Sequence, residues 1–196
     1  MKLIFIDVET TGVDDSKHGL IQLGGIIEID GKEADRFNYL IKPFPDDAIE
    51  DGALRVTGRS LQEIEGFKNP KEVYFEFMCL LNGYIDKYNR FDKFQFIGYN
   101  SRFDDGFLRT WFKKNNDNFY GSYFFWPAID VSNMAACKYM ETRQKFSNFK
   151  LMTIAKVAGL EIDLSKAHDA MYDIEVTKNL FYIFNESGKV TDAIHK

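Results

Sequence analysis

The chain has 196 residues, 45% of them apolar and 16% aromatic, which supplies one sizeable core and leaves no disordered tail or low-complexity tract. A net charge of −5 argues against a nucleic-acid binder held by a broad basic face, and no apolar run approaches the ~18 residues of a membrane span. The apolar stretch Leu3 to Ile6 is too short for a signal peptide and Cys79 and Cys137 lack CxxC spacing, so the expectation is a cytoplasmic protein with two buried, reduced thiols.

Residues 2–8 (KLIFIDV) predict a buried strand, short, β-branched and aromatic. TTGVDDSKHG comes next as a loop. LIQLGGIIEIDG predicts a second strand ending in the tight-turn pair Asp30-Gly31, and ADRFNYLIKP a third, closed by Pro43 and Pro45. The next stretch, to Phe67, reads as loop with a short helical piece, where Ser60 and Glu63 have the spacing of a capping box. From Pro70, Val73, Phe77, Leu80, Leu81, Tyr84, Ile85 and Tyr88 recur at helical spacing. KFQFIGYN predicts a fourth strand, SRFDDGFLRTWFKKN a helix and AIDV a fifth strand. Helices are expected near 131–142 and 150–158, and a last one opened by Asp163 or Ser165 and running to about Asn185. The order implies a single α/β domain over 1–196. Its mixed five-stranded sheet, an antiparallel three-strand meander followed by parallel strands, is flanked by helices.

Charge is unevenly placed. Of 25 Lys/Arg and 30 Asp/Glu, residues 87–156 hold 12 and 6. That basic middle is either a solvated face or a guide for a phosphate backbone, with Arg102, Arg109, Lys113, Lys114, Arg143 and Lys145 as candidates.

Three stretches carry acids where a core pattern does not call for them. Asp7 and Glu9 close the first strand, and alternation puts both on one side, about 7 Å apart. Two such anions repel unless a cation sits between them, and a hard divalent ion prefers oxygen ligands. Solvent at a strand end would also serve, so the stretch alone does not decide. Asp104 falls in the first turn of a helix, where an acid also complements the helix dipole. Asp173 shares a helix face with Ala170, Thr177 and Leu180, and His168 stands five residues before it.

Together these stretches resemble the three motifs of the DEDDh family of 3′–5′ exonucleases, the DnaQ-like group, which includes the proofreading subunit of bacterial replicative polymerases, ribonuclease T and oligoribonuclease. The family's D-x-E-T-T-G is found as Asp7-Val8-Glu9-Thr10-Thr11-Gly12. Its N-x-x-F-D-x-x-F-L is found as Asn100 through Phe103 and Asp104 to Phe107 and Leu108, and its H-x-A-x-x-D-x-x-x-T as His168, Ala170, Asp173 and Thr177. Between them, RVTGRS (55–60) is similar to a V-[HT]-G-I-T segment in which Arg59 replaces an apolar residue. Asp104 is preferred to Asp105 because Phe103 and Phe107 then fit the motif. The aromatic segment 109–148 departs from the pattern.

The resemblance implies a ribonuclease H-like fold and two Mg²⁺ (or Mn²⁺) ions, with Asp7 bridging both, Glu9 and Asp173 completing one site and Asp104 holding the other. It implies His168 as general base and release of nucleoside monophosphates from a 3′ hydroxyl end. Thr10, Thr11 and Gly12 would lie beside the terminal nucleotide, Ile49 and Thr57 would contact base and sugar, and Asn100 and Phe103 would complete the substrate site. The implied partners are single-stranded DNA or RNA 3′ ends, with DNA preferred, and a DNA polymerase subunit; no membrane is implied. A ribonuclease T or oligoribonuclease type of exoribonuclease is the alternative. An inactive polymerase or repair accessory module fits less well, since all five catalytic residue types are present. His18 and His195 carry no motif and are expected at the surface, and Trp111 and Trp126 in the core or at its rim.

Overall fold

The structure is a computed structural model that describes residues 1–167 and 169–186. Strand β1 (Lys2–Thr10) pairs antiparallel with β2 (Leu20–Ile29), which pairs antiparallel with β3 (Lys32–Leu40). The β2–β3 turn is Asp30-Gly31, both with positive φ (50° and 78°), the backbone that a two-residue hairpin demands. On its other side β1 runs parallel to β4 (Gln95–Gly98), and β4 parallel to β5 (Ile129–Asp130), giving the order β3-β2-β1-β4-β5. This is the expected mixed five-stranded sheet.

β1 is central, so its two faces feed two cores and its sequence is a continuous apolar run. Ile4, Ile6 and Val8 pack with Phe77 and Leu81 of α3 (Pro70–Tyr84) and Phe107 and Trp111 of α4 (Ser101–Lys114). Leu3 and Phe5 pack on the opposite face with Val131 and Ala135 of α5 (Val131–Lys138), Ile154 of α6 (Leu151–Val157) and Ile174 and Leu180 of α7 (Ala170–Glu186). Asp7 and Glu9 continue the Leu3–Phe5 row, on the side that α7 covers.

The stretch 51–65 holds two short helices, α1 (Asp51–Thr57) and α2 (Leu61–Glu65). Gly58, with φ 67°, ends the first, and the predicted Ser60–Glu63 capping box starts the second. Leu54 and Ile64 pin both helices on Ile21 of β2.

Four expectations are corrected. Cys79 and Cys137 are exposed, not buried. α3 ends at Tyr84, leaving Tyr88 in solvent. α7 begins at Ala170; Asp163 instead caps a separate 3-10 turn, Leu164–Lys166, by accepting the Ser165 N–H at 3.0 Å. His18 is buried, at 5% exposure, while His195 lies outside the described residues. Trp111 is core and Trp126 is at the surface. Among the described residues no helix is long and apolar enough to cross a membrane.

Candidate active site

The parallel strands β1, β4 and β5 all point their carboxyl ends to one edge of the sheet, the place where open α/β folds put ligands. At that edge the register of β1 against β2 breaks between Glu9 and Thr10, and the chain turns into a tightly knit loop. The Thr11 hydroxyl donates to Ala48 O and accepts from Gly19 N, and the Thr10 hydroxyl donates to Gly12 O at 2.6 Å. A Cβ on Gly12 would clash with the His18 ring, which lies 2.4 Å from where it would stand. His18 Nδ1 accepts the Asp14 N–H, and Nε2 lies 3.1 Å from Glu50. The expected substrate residues Thr10 and Thr11 are therefore buried, with hydroxyls that lock the loop.

α4 starts one tight turn after β4. A Cβ on Gly98 would sit 3.2 Å from Ser101, and Asn100 takes a left-handed conformation (φ 64°) whose amide donates to Asp130 at 3.0 Å. This aims Asp104, 3% exposed, back at β1, where its Oδ1 accepts the Val8 N–H at 3.1 Å. Asp105 points elsewhere, to Arg109 Nε and the Tyr120 hydroxyl, each at 2.6 Å.

The third acid arrives through a glycine. Gly24 of β2 pairs with Asp7, and a Cβ there would lie 3.0 Å from Ile174 Cδ1 and 3.3 Å from Met171 Sδ. The missing side chain lets α7 lie close to the sheet, with Ala170 fully buried and Asp173 in its first turn. Asp169 caps the helix by accepting the Tyr172 N–H.

The electrostatics join these segments. Burial first, then the charges of Asp104, Glu9, Asp173 and Asp169, push the Asp7 carboxyl well above the usual range. Burial and Asp173 raise Glu9 to about 7, with Arg59 opposing. Burial raises Asp104 against the lowering effect of the Val8 N–H. So Asp7 lies within charge reach of Glu9, Asp104 and Asp173, the four coming from three remote stretches. Among the described residues, however, no three Asp, Glu, His or Cys side chains already form a group that could hold a metal ion. What fits a hard divalent cation is the chemistry of the donors: carboxylate oxygens only, with Asp7, Glu9 and Asp104 made costly to ionise by burial and by neighbouring charge. His168 lies outside the described residues.

The other expected contacts divide. Asn100 and half-buried Phe103 line an open cleft with Val13, Asp15 and Arg102. Ile49 packs partly buried against the Ile21–Leu54–Ile64 cluster, and the Thr57 hydroxyl donates to Leu54 O. Three charges at the site lie outside the expected set: Asp130, which acts on Asp104, Asp169, and Arg59 as a counter-charge to Glu9. Asp130 has a readable signal, since it stands near the end of AIDV as Asp7 ends the apolar run of β1.

Raised carboxyls make stability depend on pH. A Glu9 that titrates near 7 when folded and near 4.5 when unfolded favours the fold fully below about pH 4.5, and that contribution is lost as pH rises through 7. Melting curves in EDTA should therefore shift down from pH 5 to pH 8, and less so in Glu9→Gln. Millimolar Mn²⁺ should raise the melting temperature more at pH 8 than at pH 5. A Mn²⁺ shift of the same size at both pH values would contradict this linkage.

The model of the Exonuclease family (RNase_T) matches residues 4–181. The PolC-type DNA polymerase III of Thermotoga petrophila is 28% identical over 186 residues, 95% of this chain and 12% of that protein, and that of Pediococcus pentosaceus is 27% identical over 184 residues. The chain thus spans about an eighth of these relatives. Among solved structures, Escherichia coli exonuclease I in complex with a dT13 oligonucleotide matches with a TM-score of 0.73 at 22% identity, over 95% of this chain and 41% of that one. A zinc-bound form of the exonuclease I–ssDNA complex matches with a TM-score of 0.76. These likenesses identify the sheet and its helices as a ribonuclease H-like fold. With its three motifs inside the matched 4–181, the chain belongs to the exonuclease family, in its DnaQ-like, DEDDh group.

Proposed function

We propose that this chain is a metal-dependent 3′–5′ exonuclease that hydrolyses the phosphodiester bond at the 3′ end of single-stranded DNA and releases nucleoside monophosphates. The observation that carries the reading is the gathering of Glu9, Asp104 and Asp173 within charge reach of buried Asp7, at the carboxyl ends of the parallel strands. Nothing in a folding core rewards that arrangement. It raises the energy of the protein by itself, so it is best understood as a place for cationic ligands.

Asp7, Glu9, Asp104 and Asp173 would hold two Mg²⁺ or Mn²⁺, and such a pair, when bound, activates water and stabilises the leaving oxygen. The chain's own groups do the remaining work. His168 would take the proton of the attacking water. The locked Thr10–Gly12 loop gives the strand end a rigid floor, because its hydroxyls are committed to Ala48, Gly19 and Gly12. Phe103 and Asn100 line the cleft beside Asp104 and would meet the terminal nucleotide. Arg59, already a counter-charge to Glu9, would face an incoming phosphate.

DNA is favoured over RNA by the company the chain keeps. Its relatives are PolC-type DNA polymerases, and its structural neighbours include exonuclease I bound to dT13 and to dA16. The PolC-type relatives also support a replicative polymerase as partner.

A time course on 5′-labelled dT and rU oligomers, with Mg²⁺ and with EDTA, tests activity, polarity and sugar together. The expected result is a ladder shortening from the 3′ end of dT, faster than of rU, and none in EDTA. Products that keep full length with Mg²⁺, or a ladder that persists in EDTA, would overturn the proposal.

A further inference from the structure

The segment YGSYFFW (120–126) lies in the aromatic stretch that departs from the family pattern. Its first half is core: Tyr120, Tyr123 and Phe124 are buried against Phe112 and Phe96. It is also tied to the sheet, since Phe94 N donates to Tyr123 O and Phe125 N donates to Phe94 O, each at 2.9 Å. A backbone held this way presents the next two side chains in a fixed place. These are Phe125, half-buried, and Trp126, 76% exposed.

Cations are set among these rings. The Arg109 guanidinium lies 4.2 Å from the Tyr120 ring centroid and 5.5 Å from that of Trp126, with its Nε on Asp105. The Lys93 ammonium lies 6.0 Å from the Phe125 ring and donates to Gly121 O. With Arg102, Asp15 and Gly106 these residues line one groove of about 620 Å³. Two of them, Asp15 and Arg102, also line the cleft that contains Asn100 and Phe103. The surface is therefore continuous from the Asn100–Phe103 cleft, along α4, to Trp126.

An exposed tryptophan alone needs no explanation. Here it stands beside a stacked arginine, in a groove with three cations and two acids, one of which is already engaged by Arg109 and Tyr120. Flat apolar faces alternating with cations suit a strand whose bases are unpaired and whose phosphates need neutralising. A protein partner would gain little from cations spaced along an open groove, and a duplex could not offer its base faces to the rings.

We propose that this groove binds the single-stranded DNA upstream of the 3′ end, with Trp126 and Phe125 stacking on bases and Lys93, Arg102 and Arg109 meeting phosphates. The inference rests on the exonuclease reading and extends it: the groove lengthens the footprint on the substrate and favours long strands over short ones.

Tryptophan fluorescence reads the groove directly, because the chain has two tryptophans and Trp111 is 2% exposed in the core. The protein is titrated in EDTA, which stops hydrolysis, with dT3, dT12 and rU12. The expected result is quenching by dT12, with dT12 bound about tenfold more tightly than dT3. Trp126→Ala, with an unchanged melting temperature, should abolish the quench and weaken dT12 about tenfold, the scale of one lost stacking interaction, while dT3 moves less than about twofold. Arg102→Gln should lower the salt dependence of dT12 binding by about one counterion. Equal affinity for dT3 and dT12, or a dT12 affinity indifferent to Trp126→Ala, would overturn the groove, and tighter binding of rU12 would overturn its assignment to DNA. A protein that binds dT12 with quenching but hydrolyses nothing with Mg²⁺ would overturn the exonuclease reading alone; one that hydrolyses dT12 yet ignores Trp126→Ala would overturn the groove alone.

Discussion

Replacing Asp7 by asparagine is expected to abolish hydrolysis and, in the absence of divalent metal, to make the protein more stable. The two halves of this result have one cause. Asp7 is the side chain on which burial and four other carboxylates all act to raise the pKa. Asparagine keeps its shape and removes its charge, so the metal-free protein sheds a desolvated anion and its repulsions. The melting temperature in EDTA at pH 8 should rise by several degrees, since each pKa unit relieved is worth about 1.4 kcal/mol. The rate should fall by at least about 10³-fold, beyond the 10²–10³ typical of one lost electrostatic donor, because the same charge would hold both cations. Mn²⁺ should no longer raise the melting temperature as it is expected to for the wild type. A variant that stays active, or one that melts lower in EDTA at pH 8, would remove Asp7 from the centre of the site. A structural acid would behave in the opposite way, since losing its partners' hydrogen bonds and ion pairs costs stability.

Much of this site is legible in the chain because its signals are local. The strand β1 is a run of apolar residues ended by acids, and the Asp30-Gly31 hairpin needs only two residues with positive φ. The preference for Asp104 over Asp105 comes from the spacing of Phe103 and Phe107. In the fold Asp104 accepts the Val8 amide, and Asp105 turns to Arg109 and Tyr120. The cysteines show how a residue's type misleads without its helix angle. Phe77 and Ala135 are buried, and Cys79 and Cys137 each lie two residues on, about 200° round their helices, which turns them to solvent. The start of α7 misleads because Asp163 and Ser165 make a capping hydrogen bond that a helix start would also make, but it closes only a 3-10 turn. His18 carries no local signal at all. Its burial depends on Gly12, six residues away, having no side chain, and on Glu50 reaching it from a separate loop. Thr10 and Thr11 stand where the motif puts them, and the bonds that close the loop through their hydroxyls carry no signal in the chain.

Alanine at His168 is expected to separate proton handling from cation binding. The case for this residue comes from the chain itself. His168 directly precedes Asp169, the cap of α7, and stands five residues before Asp173. An imidazole, with an unperturbed pKa of about 6.5, is half-ionised near neutrality and so able to accept a proton from the attacking water. Removing it should lower kcat by about 10²–10⁴-fold, the usual scale for a general base. KM for dT12 should change little, because the groove and the Phe103 cleft are untouched. Calorimetric uptake of Mn²⁺ should also persist, in contrast to Asp7→Asn. The pH profile gives a second discriminator. Burial and Asp173 push the Glu9 carboxyl up to about 7, into the range of an unperturbed imidazole. With saturating Mn²⁺ the carboxylates are held ionised and the remaining rise in rate between pH 6 and 8 belongs to His168. That rise should vanish in His168→Ala, survive in Glu9→Gln if any rate remains, and part of the lost rate should return with millimolar imidazole. Were His168→Ala to keep the wild-type rate, or to lose Mn²⁺ uptake along with activity, the proton acceptor would have to be sought elsewhere in the cleft.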